Sequence, residues 1–580
     1  MSLATSYDEV PYPRLAFPLT HPSHLATIGR LLGMACANVN SCRVLELGCA
    51  SGANLVPMAY GLPNSRFVGV DFSERQISDG RQFTAALGLE NISLEKLDIR
   101  QVAESLRDSD FASRRDAATW DSRVGAEAAE RLGDAGPFNY IIAHGIYSWV
   151  PDPVKDALLA ACRRLLAPQG IAYVSYNCYP GCKTRDMLRQ MCQYHGRIAT
   201  GPRDYAAVTR RFLEFLQKAL GGRSGAYHAV LRQHVGDLAE VADEVLLHDD
   251  LERDNDPRFF HEFTSHAASH RLAYLGDAYF GQMFGAGIKP EALEKIRHAG
   301  DRCDFEQYLD FLYGRSLRTT LLCREEDSVS GEIAPDGIRQ LWISTEARPT
   351  SADGKELPLP EIRFEEPSPV VFRAPECTLS VGTLLGKATL VELAAAAPRM
   401  IDFNTLAGRV ERRLRTLTPV TEPLPSSSEL AKRLAEMLVE WFAMRLIEAS
   451  ACAPPLTGEV AERPVASAVA RYQASRGWSQ VTNLLHRRIR LDGELACRVI
   501  AMLDGRNSRT DIVEALVKPV AEGKVAARID GRQVTRPDQI RPILFERVGA
   551  CLRDFAKHAL LVDMTQSPVE SSQTWQRSIE

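Results

Sequence analysis

The stretch VLELGCASGANLV, Val44 to Val56, constrains the fold of this chain more than any other. An apolar run of strand type ends in an acid, passes through small residues and resumes as a helical pattern. Such a turn occurs where a parallel strand feeds a crossover helix, and it turns backbone amides toward a ligand at the helix start. The alternation then repeats. CRVLEL, RFVGVD, ISLEKL, FNYIIAH and GIAYVSY read as strands, with helices expected near residues 53–61, 74–87, 153–166 and 183–196. This pattern predicts an α/β fold on a doubly wound sheet.

At 580 residues the chain exceeds what one hydrophobic core supports. The sheet is expected over 1–199, and a helical segment over 200–325, where SLRTTLLCRE at 316–325 can return as a late strand. A Pro/Gly/Glu-rich linker and a first helical module are expected over 326–452, a second over 453–568, and a disordered tail over 569–580. The Arg/Asp/Ala-rich insertion from Ala103 to Gly136 is too polar for core and reads as a surface excursion.

A net charge of −5 gives no general case for nucleic-acid or anionic-membrane binding. No leader pattern and no run of about 18 apolar residues occurs, so a cytoplasmic protein is expected. Thirteen scattered cysteines without a C-x-x-C pair read as reduced, structural thiols.

A dinucleotide loop needs G-x-G-x-x-G, yet aligned on Gly48 this chain places Ala50 and Ala53 at the second and third glycines. A phosphate loop needs a lysine that is absent here. What remains is Glu46, Gly48 and Gly52 at the turn, with Asp71 ending the next strand 23 residues after Gly48. An acid at that distance suits ribose hydroxyls. Glu46 would sit badly beside pyrophosphate but suits an ammonium or sulfonium group, while helix-start amides receive a carboxylate.

At these residues the chain resembles the class I S-adenosylmethionine-dependent methyltransferases, and the resemblance implies a Rossmann-like seven-stranded sheet and S-adenosylmethionine as cofactor. It implies that Glu46, Gly48, Cys49 and Gly52 line the methionine end, that Asp71 holds the ribose, that Asp98 bonds the adenine amino group with Ile99 beside the ring, and that Asn54 and Phe72 also bind the cofactor. His144 in IIAHGIYSWVP then opens the methyl-transfer face, and Tyr12, Thr20 and His21 in PYPRLAFPLTHP close over the cofactor, with helix capping as the competing role for Thr20.

The segments SYNCYPG, LLHDDLERDNDPRFFHEFTSHAASHRLAYLGDA and TNLLHRRIRLDG are similar to bacterial methyltransferases with a methyltransferase regulatory domain, among them the rickettsial protein-lysine methyltransferases of outer-membrane protein. That resemblance runs from about residue 7 to 560 and implies winged-helix-like C-terminal modules.

The catalytic candidates follow the fourth and fifth strands: His144, Tyr147 and Trp149, then Asn177 and Tyr179, where ligands sit in such sheets. Aromatic packing under a loop is the competing reading. No metal is expected: His266 and His270 share a helix face at i, i+4, near His261, without a clear third ligand. Asp249, Asp250 and Glu252 read as a solvated acidic face.

The expected function is methyl transfer to a protein lysine. A small-molecule methyltransferase with the helical segment as lid is one alternative, and a non-catalytic regulator another. A protein substrate is the expected partner, with a small molecule as alternative acceptor; nucleic acid is not expected, and a homodimer stays open.

Overall fold

In the computed structural model, residues 10, 12–105, 136–252, 254–351, 353–364, 368–417, 425–478, 480–523, 528–529, 532–533 and 536–565 are described. All but the ends of the Ala103–Gly136 insertion, and the whole tail from 569, lie outside them.

Seven strands form the central sheet: β1 Arg43–Leu47, β2 Arg66–Asp71, β3 Ile92–Lys96, β4 Phe138–Ala143, β5 Leu166–Asn177, β6 Leu272–Asp277 and β7 Leu317–Arg324. Their order is β3-β2-β1-β4-β5-β7-β6. Pairing is parallel through β5, and β7 runs antiparallel to both β5 and β6. Strand order reverses between β1 and β4, which opens a crevice at their carboxyl ends.

Period-two alternation assigns the strand residues to two cores. Val44, Tyr140, Ile142, Ile171 and Tyr173 pack on one face with the helices Pro22–Leu31 and Leu55–Gly61. Leu45, Leu47, Ile141, Ala143, Ala172 and Val174 pack on the other with Asp152–Leu165 and Phe260–Ser269. Burial on both faces explains why β1 and β4 read as continuous apolar runs.

The expected helices at 74–87, 153–166 and 183–196 appear as Glu74–Ala86, Asp152–Leu165 and Gly181–Gly196, and 316–325 does return to the sheet as β7. The segment 200–325 is not wholly helical, however. LAYLGD at Leu272–Asp277 forms β6, a six-residue edge strand whose irregular burial hides the alternation that would reveal it.

Residues 335–450 are not a detached module. Ile338, Ile343, Phe372, Leu390, Leu406, Leu438 and Trp441 share a continuous core with the sheet's first face. The last module has its own core, built from Ala468–Ser475, Gly493–Ala501, Arg509–Ala521 and Pro537–Lys557. It docks on the sheet domain through Val56, Phe83 and Leu87 against Ala468 and Val469, with Phe83 stacked on Tyr472 at 4.7 Å. No helix of the described residues is long and apolar enough to cross a membrane.

Candidate functional site

The loop after β1 is fixed by its own backbone. Gly48, Ala50 and Gly52 all adopt positive φ, at 74°, 49° and 68°. Asp71, at the end of β2, accepts the Ala50 N–H at Oδ2 (2.8 Å) and the Ser73 N–H at Oδ1 (2.9 Å). The acid thus holds the loop in a conformation that alanine adopts reluctantly. A Cβ on Gly48 would stand 2.3 Å from Ile146 Cδ1. Gly48→Ala is therefore expected to lower stability by about 1–2 kcal/mol from backbone strain alone, and to weaken cofactor affinity further as the loop shifts. Thermal melts with and without cofactor read both effects.

Glu46 lies beneath this loop, 4 % exposed. The Asn54 amide donates to its Oε1 (2.7 Å), and its buried Oε2 has no hydrogen-bond partner among the described residues. Burial, partly offset by Asn54 and reinforced by the Asp71 charge, pushes its carboxyl up to about 8. A buried acceptor left open is costly unless a donor or cation arrives. The site therefore fits the ammonium end of an amino-acid nucleoside.

Asn54 is the hub. Its Oδ1 accepts the Phe17 N–H (2.9 Å), and its Nδ2 donates to Thr20 Oγ1 (3.0 Å) as well as to Glu46. From the last module, His486 brings Nε2 within 2.9 Å of Asn54 Oδ1. Because an amide oxygen only accepts, the imidazole must donate. His486 is buried at positive φ (59°), and its ring lies 5.2 Å from His21. Sequence reading missed it; the basic cluster LLHRRIRL at 484–491 carried no hint of a partner over 400 residues away.

Thr20 caps no α-helix. His21 does so, accepting the Ser23 N–H at the start of Pro22–Leu31, while Thr20 is wholly buried against Asn54. Tyr12 lies further off, its hydroxyl donating to Asp249 Oδ2 (3.3 Å). The acidic face expected at 249–252 is not solvated: Asp250 is 2 % exposed and accepts from Arg185 Nε (2.7 Å). Burial and the neighbouring Asp250 charge push Asp249 up to about 6.

Of the other expected cofactor residues, Phe72 is exposed and Cys49 is buried. Asp98, next to Ile99, accepts the Arg100 N–H (2.8 Å) and pairs with the Arg100 guanidinium (2.6 Å). Partial burial works against its charge, but the Arg100 bonds prevail and hold the carboxyl below its ordinary value.

Past β4, His144 Nδ1 lies 3.0 Å from the Tyr173 hydroxyl and 3.1 Å from Ser175 Oγ, with the Phe17 ring 4.0 Å away. Burial and then the Arg488 charge push its imidazole down to about 4, so it is neutral at neutral pH. Tyr147 faces elsewhere: 1 % exposed, it packs on Phe263 and Tyr176 and its hydroxyl meets His266 Nδ1 (2.7 Å). Trp149 is half-buried in the same turn. The Asn177 amide donates to Asn255 Oδ1 (2.9 Å), and the half-buried Tyr179 ring carries Lys183 Nζ at 3.8 Å. The structure thus groups Glu46, Gly48, Asn54, Thr20, His21 and Asp71 around one loop, and leaves Tyr12 and Tyr147 in other contacts. A cleft of about 1540 Å3 between the modules, lined by His21, Tyr60, Glu346, Glu448, Arg487 and His486 among others, abuts this site without including Glu46 or Asp71.

A seven-stranded sheet with this order, and an acid-ended glycine turn at its switch point, define an α/β methyltransferase. Family models agree: a methyltransferase domain matches residues 38–199, a predicted methyltransferase regulatory domain 242–324, and the PKMT C-terminal winged helix domain 462–560. Protein RP789 of Rickettsia prowazekii (strain Madrid E) is 31% identical over 563 residues, 96% of this chain and 93% of its own. Protein RP028 of the same organism is 32% identical over 262 residues, 45% of this chain and 93% of its own. PKMT2 from Rickettsia typhi, solved in complex with AdoHcy, superposes with a TM-score of 0.79 at 27% identity, covering 95% of this chain and all of that one. The chain belongs to this family of S-adenosylmethionine-dependent methyltransferases with a regulatory domain and a PKMT-type winged helix.

Proposed function

We propose that this protein methylates a lysine side-chain amine of a protein substrate. Likeness to PKMT2 along almost the entire chain, winged helix included, is the observation that carries the reading. The cofactor supplies an electrophilic methyl group on a sulfonium.

In this reading the residues divide the work by position. Glu46 Oε2 receives the cofactor ammonium, the cofactor carboxylate lies against the turn 48–52, and Asp71 receives the ribose hydroxyls. Cys49 and Phe72 flank these groups, and Asp98 with Ile99 marks the adenine end. His144, Phe17 and Tyr173 form a wall at the acceptor side. A neutral imidazole adds no positive charge there, and a desolvated surface lowers an incoming amine toward its nucleophilic neutral form. Asn177 and Tyr179 stand at the carboxyl end of β5, where an acceptor chain would pass.

Glu46 makes the proposal measurable. Its carboxyl is protonated below about pH 8 in the free protein and must ionise to pair with an ammonium. Cofactor affinity is expected to rise by up to about tenfold per pH unit from pH 6 toward 8 and then level off. Calorimetry at pH 7 in two buffers of different ionisation enthalpy should show release of about one proton. Glu46→Gln should flatten the profile, and an unchanged profile in that variant would remove Glu46 from the site.

The acceptor is tested with methyl-labelled cofactor in extract of the source organism. Label that runs with protein and survives hydrolysis as methyllysine supports the reading. Label confined to small molecules moves the function to metabolism, with the segment 200–325 as a lid.

A further inference from the structure

Sequence spacing put His266 and His270 on one helix face and offered no third ligand. The structure supplies one. Asp156, on the helix Asp152–Leu165 below β4, extends Oδ1 to 2.8 Å from His266 Nε2 and 3.2 Å from His270 Nε2. Among the described residues this is the one group of three such side chains whose ligand atoms all lie within 4.8 Å of one another.

We infer that Asp156, His266 and His270 form a binding site for a divalent transition metal of the zinc class, tying the regulatory segment to the catalytic domain. Ligand atoms on a tetrahedral zinc with bonds of 2.0–2.1 Å stand about 3.3 Å apart, close to the two separations seen here. Both imidazoles converge through Nε2 on a single carboxylate oxygen. Two imidazoles and a carboxylate with a side open to water form the donor set of a three-ligand zinc site. Asp156 is largely exposed, so the fourth position faces solvent.

A supporting contact comes from behind. The buried Tyr147 hydroxyl lies 2.7 Å from His266 Nδ1, the arrangement that fixes which imidazole nitrogen is free to ligate. Tyr147 belongs to the turn after β4, between His144 and Trp149. Metal binding at His266 therefore bears on the loop beside the proposed acceptor wall. His266 and His270 fall within the match to the regulatory domain, and Asp156 falls within the match to the methyltransferase domain. The neighbouring cation Lys155 is already paired with Asp152 and Asp256, and Arg258 pairs with the same two carboxylates, so neither neutralises Asp156.

The test uses the full-length protein after chelator treatment, titrated with Zn2+ by calorimetry and with Co2+ by visible absorption. One equivalent at micromolar affinity or tighter is expected, with a Co2+ spectrum lacking thiolate charge transfer. His270→Ala and Asp156→Asn should each weaken binding at least about tenfold, and Tyr147→Phe should weaken it at least several-fold while all three ligands remain. Zn2+ should raise the melting temperature of the wild type but not of His270→Ala. Binding weaker than millimolar, or equal binding in the His270→Ala/Asp156→Asn double variant, overturns the inference; the second result would place the ion on other groups. Circular dichroism of each variant confirms that the fold is retained.

Discussion

Asp71→Ala is expected to lower affinity for S-adenosylmethionine at least about 100-fold. A carboxylate that receives two hydroxyl donors makes two charge-assisted hydrogen bonds of about 1.5–3 kcal/mol each, and roughly 3 kcal/mol corresponds to that factor. The same carboxylate holds the Ala50 and Ser73 amides, so the variant also loosens the loop around Glu46. Asp71 is half-buried, and the loss leaves those amides near water, so the melting temperature of the free protein should fall only a few degrees. Asp71→Asn keeps one acceptor and should lose about tenfold. Calorimetric affinity that stays at the wild-type value in the alanine variant would sink the assignment of this loop.

Arg318→Met is expected to cost about 3–5 kcal/mol of stability, the range for breaking a buried charge network from one side. Arg318 is fully buried in β7. Its guanidinium donates to Asp310 Oδ1 (3.0 Å) and Glu306 Oε2 (3.0 Å), lies 3.5 Å from Asp277 Oδ2, and stacks over Phe260 at 4.1 Å. One side chain thereby binds β6, β7 and the helix Arg302–Tyr313. Burial raises Glu306 and Asp310, and Arg318 opposes that rise. Without it their folded values lie further above the unfolded ones. The added penalty therefore grows as pH rises toward the raised folded values and shrinks as pH falls toward the unfolded carboxylate range. The first thermal transition should drop on the order of 10 °C at pH 7, and by less at pH 5. An unchanged transition at both pH values would show that these carboxylates relax into water.

The parts of this fold legible in the sequence were those with a local signature. β1 and β4 announce themselves as apolar runs, and the glycine turn carries its acid at a fixed spacing. β6 stayed hidden because LAYLGD is short and lies at an edge with irregular burial. Asp250 looked solvated because nothing local in LLHDDLE reveals Arg185 on a separate helix. At the site, Glu46, Gly48 and Asp71 could be chosen from the turn alone. Asn54 could be named as a loop residue, but its role in joining Phe17, Thr20, Glu46 and His486 depends on side chains up to 432 positions away. Asp156 was invisible as a partner of His266 for the same reason.

The His486–Asn54 bond also sets an order of assembly. The loop that carries Asn54 leaves the ribosome ahead of the C-terminal module, and the sheet strands through β5 are complete by Asn177. The imidazole that anchors Asn54 emerges only after some 300 further residues have been synthesised. A nascent chain thus carries an unfinished loop until that module is made, with Asn54 held by Phe17, Thr20 and Glu46 alone. Completion of this loop is a late event in the life of each molecule, and it reports that the C-terminal module has been made and has docked.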